Sequence, residues 1–560
     1  MILAPADRIR DYTARGWWGD RTLADLLAEH VAARPQAEAL VDPPNRAALC
    51  GGAPRRLDWA GVDALAGRLA AVLADHGVGH DDIVAVQLPN VAELVALYLA
   101  CARIGAIMMP FAVQYREYEL AQLCAFAGPK VFVTATRLID QPRAALVLSL
   151  RDRLPGLQAV LALGGDAPAG AVDLDAALAA ATPRRPDIKV DANEIATLCF
   201  TSGTTGVPKG VPRSHNEWIA IAWSTVEGAR LDASSRLLNP FPLVNMAGIG
   251  GMILPWLMTG AVLINHHPLD LPLFLQQIAT ERPDYTVAPP ALLTMLLMND
   301  ALLARADLSS LKIVGSGAAP LPPPMVQGYH DRFGITINNM FGSNEGVCLL
   351  SGADDVADPT ARAQVFPRFG AGGFDWALRV AHTQRTRLAD PATGAEITEP
   401  GRPGELLISG AMLFAGYWQN PEANAAAFDD AGWFRTGDLF EIAADDAGRP
   451  RYYRFVGRAK DLIIRGGMNI APEEIEALVA GHPAVAEVAV VGYPCPVMGE
   501  RVRAVVVPRG DLRPTLADIV GHLSDLGIAK FKLPERLDLI AALPRNPVGK
   551  VLKAELRKAA

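Results

Sequence analysis

Residues 201–210 read Thr-Ser-Gly-Thr-Thr-Gly-Val-Pro-Lys-Gly and follow an apolar run that reads as a strand. Small hydroxyl residues and glycines let successive backbone N–H and side-chain OH groups surround a phosphate, and a lysine adds positive charge. Thr201, Ser202, Gly203, Thr204, Thr205, Gly206 and Lys209 therefore form a phosphate cradle. A Walker A loop needs a Gly-Lys-Ser/Thr ending, whereas Lys209 follows Pro208 and precedes Gly210, so an ordinary P-loop nucleotidase is excluded. The alternative is a flexible surface loop, which would not require so specific a run. The six cysteines are widely spread, with no Cys-x-x-Cys pair and no Cys/His cluster at zinc spacing. That pattern implies a reducing compartment and no structural metal.

A cradle of this kind has to sit at the end of a strand in an α/β sheet, and the chain supplies such strands. Residues 83–88 read as a strand, 91–104 as a helix stopped by Gly105, 116–126 as a helix and 130–134 as a strand. Further strands are expected at 195–200, 261–265, 285–288 and 311–315, with helices between them, the pattern of a parallel-rich sheet. Residues 164–191, rich in Ala, Pro and Asp, read as an irregular connection between two α/β halves. After about residue 455 a compact α+β unit is expected, with helices at 472–479 and 516–526 and strands at 485–491 and 502–507. The predicted fold class is α/β: a large N-terminal domain (1–457) of parallel-rich subdomains and a small α+β C-terminal lid domain (458–560).

With 560 residues, a single small binding module is excluded. Hydrophobic residues at 51% and charged residues at 20% suit several buried cores rather than disorder. A net charge of −8 leaves no large basic footprint, so nucleic acid is not expected as a partner. From residue 457 onward there are 15 basic against 12 acidic side chains, so the small domain is the positive element, as suits a lid over phosphates. Asp7, Arg8, Arg10 and Asp11 stand where a signal peptide needs an apolar run, and a cytoplasmic location is expected. Residues 237–269 hold no Asp, Glu, Lys or Arg, but Gly248, Gly250, Gly251, Pro255 and Gly260 interrupt them. A buried helix and strand is the reading there, with no transmembrane segment.

Five segments in order resemble the superfamily of adenylate-forming enzymes, which includes acyl-CoA synthetases, adenylation domains of peptide synthetases and firefly luciferase. The first is the cradle. Residues 339–346 (NMFGSNEG) are similar to the family's aromatic-Gly-x-Thr-Glu motif, 433–439 (WFRTGDL) to its ribose-binding motif, 457–470 (GRAKDLIIRGGMNI) to its hinge motif, and 544–553 (PRNPVGKVLK) to the motif of its catalytic lysine. The resemblance covers nearly the whole chain. It implies activation of a carboxylic acid by ATP through an acyl-adenylate, with Mg²⁺, and then thioester formation with CoA. It also implies the roles: Lys550, Glu345 and Thr201 in catalysis, with Glu345 as the magnesium ligand. Asp438 and Arg458 would take the ribose, and Gly317, Ala318 and Ala319 in GSGAAP the adenine. Asn339, Phe341, Gly342 and Asn344 complete the nucleotide site. Lys460 falls at the hinge, and Gly466 and Gly467 face the incoming thiol, where glycines admit a thin pantetheine arm. Charge accumulating between a carboxylate and the α-phosphate is what such cations must offset.

Three departures from the family pattern stand out. Asn344 replaces the usual Thr, Asn245 stands where many relatives have His, and Asn546 and Val548 replace commoner Thr and Ser. The segments implied to hold the acid offer Asn245, Met246, Ile249, Met340 and Val347, with Phe341 adjacent, which suits an apolar fatty, aromatic or alicyclic acid. An α-amino acid is disfavoured because PLVNMAGIGG has no Asp for its ammonium. Texture in PRSHNEW and FKLPERLDLIAALPRNPVGK resembles aryl-acid adenylating enzymes, although their His-Asn pair is not reproduced at Val244, Asn245 and Met246. Three functions follow: an acid:CoA ligase, an aryl-acid or fatty-acid adenylating enzyme that loads an acyl carrier protein, and a non-catalytic nucleotide-binding protein. A homodimer is compatible with each.

Overall fold

The computed structural model describes every residue except 185–187, 202–208, 305, 319, 392, 459–462, 471, 545–550 and 559–560. The chain divides into two compact units. One comprises Met1–Val113, Cys124–Cys199 and Gly210–Val456, the other Gln114–Leu123, Phe200–Lys209 and Gly457–Ala560.

Two sheets in the large unit are built mainly from parallel strands. One runs in the order Val172–Asp173, Ala159–Leu163, Val131–Ala135, Ile83–Gln87, Ile107–Pro110, Ile195–Thr201 and Lys209–Ser214. Ile83–Gln87 and Val131–Ala135 are buried at every position, as strands covered by helices on both faces must be. The helix Ala92–Ile104 covers this sheet. It is apolar almost all round and ends on Gly105 in the left-handed conformation, the stop expected from sequence.

The second sheet runs Cys348–Ser351, Thr336–Gly342, Ile313–Gly317, Tyr285–Val287, Arg236–Asn239, Val262–Asn265, Glu38–Val41 and Arg56–Asp58, antiparallel only at its two edges. The uncharged stretch 237–269 forms the strand Arg236–Asn239, a helical segment with a π-turn at Ile249–Ile253, the helix Leu254–Thr259 and the strand Val262–Asn265. Trp256 on that helix is fully buried and stacks on Trp59 at 5.0 Å. Among the described residues no helix is long and apolar enough to cross a membrane.

Two features go beyond the sequence reading. Residues 164–191 are not wholly irregular. Asp173 caps a short helix, Leu174–Ala180, by accepting from the Ala176 N–H. A third sheet of six strands, ordered Val365–Pro367, Tyr452–Arg458, Phe434–Ala443, Gly404–Gly410, Gln384–Ala389 and Glu396–Ile397, makes antiparallel pairings.

The smaller unit carries a sheet of Met468–Ile470, Ile463–Arg465, Gly499–Pro508 and Val485–Cys495, with Arg536–Leu539 parallel to Gly499–Pro508. Helices Pro472–Val479 and Leu516–Asp525 supply Ile475, Val479, Ile519 and Leu523 to its own core. This is the α+β unit expected from the change of sequence style.

Candidate active site

The turn 343–347 follows the strand Thr336–Gly342 and carries Asn344 and Glu345. Its position is fixed from below by Arg213, which is fully buried and donates to the carbonyls of Asn344 (2.8 Å), Glu217 (2.9 Å) and Met412 (2.8 Å). Burial lowers the Arg213 pKa to about 10, so the guanidinium remains charged at neutral pH. Its plane lies over the Trp218 ring at 4.5 Å.

Tyr417 holds the carboxylate itself, its hydroxyl donating to Glu345 Oε1 at 2.9 Å. Burial, and then the neighbouring carboxylate, push the phenol pKa well above its ordinary value, so it stays a donor. Glu345 thus presents a half-buried, oriented carboxylate. A single carboxylate completed by water and phosphate oxygens is the donor set Mg²⁺ prefers, and Glu345 fits it.

The same turn reaches the segment expected to hold the acid. Asn344 Oδ1 accepts from the Met246 backbone N–H at 2.7 Å, and because that partner can only donate, the amide orientation is fixed and its NH₂ is left as the donor end. Asn245 caps the short helix Met246–Gly248 by accepting from the Gly248 N–H at 3.3 Å. Met246 and Met340 are half-buried, while Ile249 and Val347 are buried. Asn245, Met246, Met340, Asn344, Glu345 and Val347 are therefore brought to one region of the large unit.

Asp438 sits in a bulge. Along Gly404–Gly410 the partners Glu405 and Leu407 face Leu439 and Arg435, so Thr436, Gly437 and Asp438 together oppose the single Leu406. Gly437 has φ +73°, and its N–H is held by Glu405 Oε1 at 2.9 Å, while Asp438 N–H donates to Thr436 Oγ1 at 3.1 Å. Phe341 packs edge-on to Phe440 at 5.0 Å, with Phe366 and Phe455 near it. Asn339 behaves differently. It is buried, and its amide donates to the carbonyls of Arg362 and Ala363, so its side chain is occupied within the scaffold rather than gathered with the others.

Gly317 ends the strand Ile313–Gly317, and Ala318 follows with φ +65°. Thr201 ends the strand Ile195–Thr201 and Lys209 begins the strand Lys209–Ser214, its neighbour in the first sheet. Ser202, Gly203, Thr204, Thr205, Gly206, Ala319, Lys460 and Lys550 lie outside the described residues. Arg458 is the last residue of the strand Tyr452–Arg458. Gly466 and Gly467, with φ +55° and +80°, form the two-residue turn between Ile463–Arg465 and Met468–Ile470. Sequence reasoning missed Arg213, Tyr417 and Glu405. The only trace of Arg213 was its place in PRSHNEW.

Residues 27–418 match the family described as AMP-binding enzyme, and 474–550 match the AMP-binding enzyme C-terminal domain. The chain belongs to the AMP-binding enzyme family. It is 35% identical to indoleacetate–CoA ligase of Aromatoleum aromaticum, over 96% of this chain and 98% of that one. It is 32% identical to medium-chain fatty-acid–CoA ligase of Escherichia coli, over 98% and 92% respectively. Among solved structures it is similar to the amide bond synthetase McbA from Marinactinospora thermotolerans, with a TM-score of 0.79, 25% identity and coverage of 96% and 99%. The protein is an AMP-forming ligase that activates a carboxylic acid as its acyl-adenylate. That membership removes the non-catalytic alternative.

Proposed function

We propose that the protein is an ATP-dependent acid:CoA ligase for an apolar acid with few polar groups, with residues 1–457 binding ATP and acid and 458–560 acting as a lid hinged near Lys460. The observation that carries the reading is the bond from Met246 N–H to Asn344 Oδ1, because it ties the wall implied for the acid to the turn that presents Glu345. One short segment can then set where an acid carboxylate and an α-phosphate meet, which is the positioning that in-line attack requires.

In this reading Glu345, oriented by Tyr417, would hold Mg²⁺, which would offset phosphate charge when bound. Thr201, the cradle that follows it and Lys209 bind the phosphates, and the Asn344 amide donates to a phosphate oxygen. Asp438 and Arg458 take the ribose hydroxyls, an acceptor role suited to a carboxylate. Lys550 supplies the cation for the first half-reaction, and Gly466 and Gly467 admit the thiol in the second. A cytoplasmic site, where ATP and CoA are both available, belongs to the same proposal.

Pyrophosphate release across fatty, aromatic and alicyclic acids, with and without CoA, is the test. Acid-dependent release with CoA-dependent thioester is the expected result. Release without thioester until a phosphopantetheinylated carrier protein is added would assign the protein to carrier loading instead.

A further inference from the structure

Four tyrosines rank among the largest fully buried side chains: Tyr98, Tyr285, Tyr329 and Tyr453. Three have an oxygen partner. Tyr98 donates to the Leu243 carbonyl at 2.6 Å, Tyr329 to the Leu293 carbonyl at 3.1 Å, and Tyr453 pairs with Thr386 Oγ1 at 3.1 Å. The Tyr285 hydroxyl has only the thioether sulfur of Met340, 3.9 Å away, among the described residues. A thioether is a weak acceptor, so a phenylalanine would fill the same space without stranding a hydroxyl. Burial raises the Tyr285 pKa, which keeps it a neutral donor.

The location of that hydroxyl gives it a use. In the second sheet Tyr285 pairs with Ile313, Gly315 with Asn338, and Gly317 with Met340, so Tyr285, Gly315, Gly317, Met340 and Gly342 share one face. A methyl placed on Gly315 would come within 2.6 Å of the Tyr285 hydroxyl and 2.8 Å of the Met340 sulfur, and one on Gly342 within 3.9 Å of Met246 Cγ. The tyrosine therefore lies over glycine positions of the sheet, its hydroxyl and the Met340 thioether filling the space above Gly315, on the face that Met246 covers at its upper end. Met340, and with it the hydroxyl, lies two strand residues, about 7 Å, deeper than Gly342 and the Glu345 turn. A single six-membered ring spans a comparable distance between its carboxylate and an acceptor at its remote carbon, so a ring acid anchored at the turn would bring that acceptor toward the hydroxyl.

We propose that Tyr285 is a specificity-determining residue whose hydroxyl donates to an oxygen or nitrogen acceptor borne by a ring acid on the side remote from its carboxylate. The inference rests on the acid-activating reading above and narrows its substrate to substituted ring acids. No bond is made or broken by Tyr285. It supplies one hydrogen bond and is a binding group only.

The test measures kcat/KM for pyrophosphate release by the full chain with benzoate, 3- and 4-hydroxybenzoate, 3- and 4-methoxybenzoate and octanoate. Wild type, Tyr285→Phe and Tyr329→Phe are compared, with thermal melting to verify folding. Wild type should favour at least one substituted ring acid over benzoate by about tenfold or more. Tyr285→Phe should bring that ratio close to one with the KM for ATP unchanged. Tyr329→Phe, which removes another buried tyrosine hydroxyl, the one bonded to the Leu293 carbonyl, should keep the preference. A wild-type preference for octanoate, no preference among ring acids, or a preference that survives Tyr285→Phe would overturn the inference while leaving acid activation standing. Loss of the preference in Tyr329→Phe to the same degree as in Tyr285→Phe would reduce Tyr285 to a packing residue of the core. Absence of release with every acid would overturn the parent reading and this one with it.

Discussion

In its proposed role as a metal ligand, Glu345 relies on another side chain to aim it. Removing that aid by Tyr417→Phe leaves the ring packed on Phe414 and takes away one charge-assisted hydrogen bond. The half-saturating Mg²⁺ concentration for acyl-adenylate formation should rise severalfold, and Glu345→Gln should raise it further. A magnesium titration of both variants checks the order. Arg213→Met should act through the scaffold, since three backbone carbonyls lose their donor. A loss of about 3 kcal/mol or more in unfolding free energy is expected, read by urea denaturation. Of these residues, Glu345 was singled out in the sequence because residues 339–346 resemble a family motif. Arg213 and Tyr417 were not, because their partners lie 131 and 72 residues away and a backbone carbonyl leaves no mark in the sequence of the residue that offers it.

Among the elements, the bulge in Phe434–Ala443 is what turns Asp438 out of strand register. It depends on Gly437 at φ +73°, a conformation that costs a residue with a side chain about 1 kcal/mol or more. Gly437→Ala should raise the KM for ATP more than that for the acid, with a small fall in melting temperature. Equal change in both constants would show that the bulge does not serve the nucleotide. Parallel strands such as Ile83–Gln87 and Val131–Ala135 were readable because they are buried on both faces and appear as unbroken apolar runs. The antiparallel sheet was not. Its pairing of Val365–Pro367 with Tyr452–Arg454 joins segments nearly ninety residues apart, and Gln384–Ala389 alternates buried and exposed positions over too short a stretch to be told from loop.

For the whole molecule, acidity should be destabilising well above the usual carboxylate range. His215 and His267 are buried, and desolvation lowers both to about 4, while His215 Nδ1 accepts from the Leu23 N–H at the start of a helix. The unfolded chain therefore takes up protons below about 6.5 that the native chain refuses, so stability is full above that pH and falls as pH drops toward 4. Urea midpoints from pH 7.5 to 4.5 should fall over this window, and His215→Gln should flatten the decline. A second molecule-wide expectation concerns the two steps of the reaction. Lys460→Pro should leave acyl-adenylate formation measurable and slow thioester formation, since proline fixes φ and traps a pivot in one state. Rapid-quench assays of each step decide it, and normal rates for both would place the pivot elsewhere. Finally, the guanidinium beneath the 343–347 turn grips main-chain oxygens of Asn344, Glu217 and Met412, and of these three only Glu217 also faces it with its side chain. Substitution at Met246, whose bond to the turn is made by its backbone N–H, can thus shift substrate preference while the turn keeps its seat, so new acids are open to selection or engineering without rebuilding the geometry around Glu345.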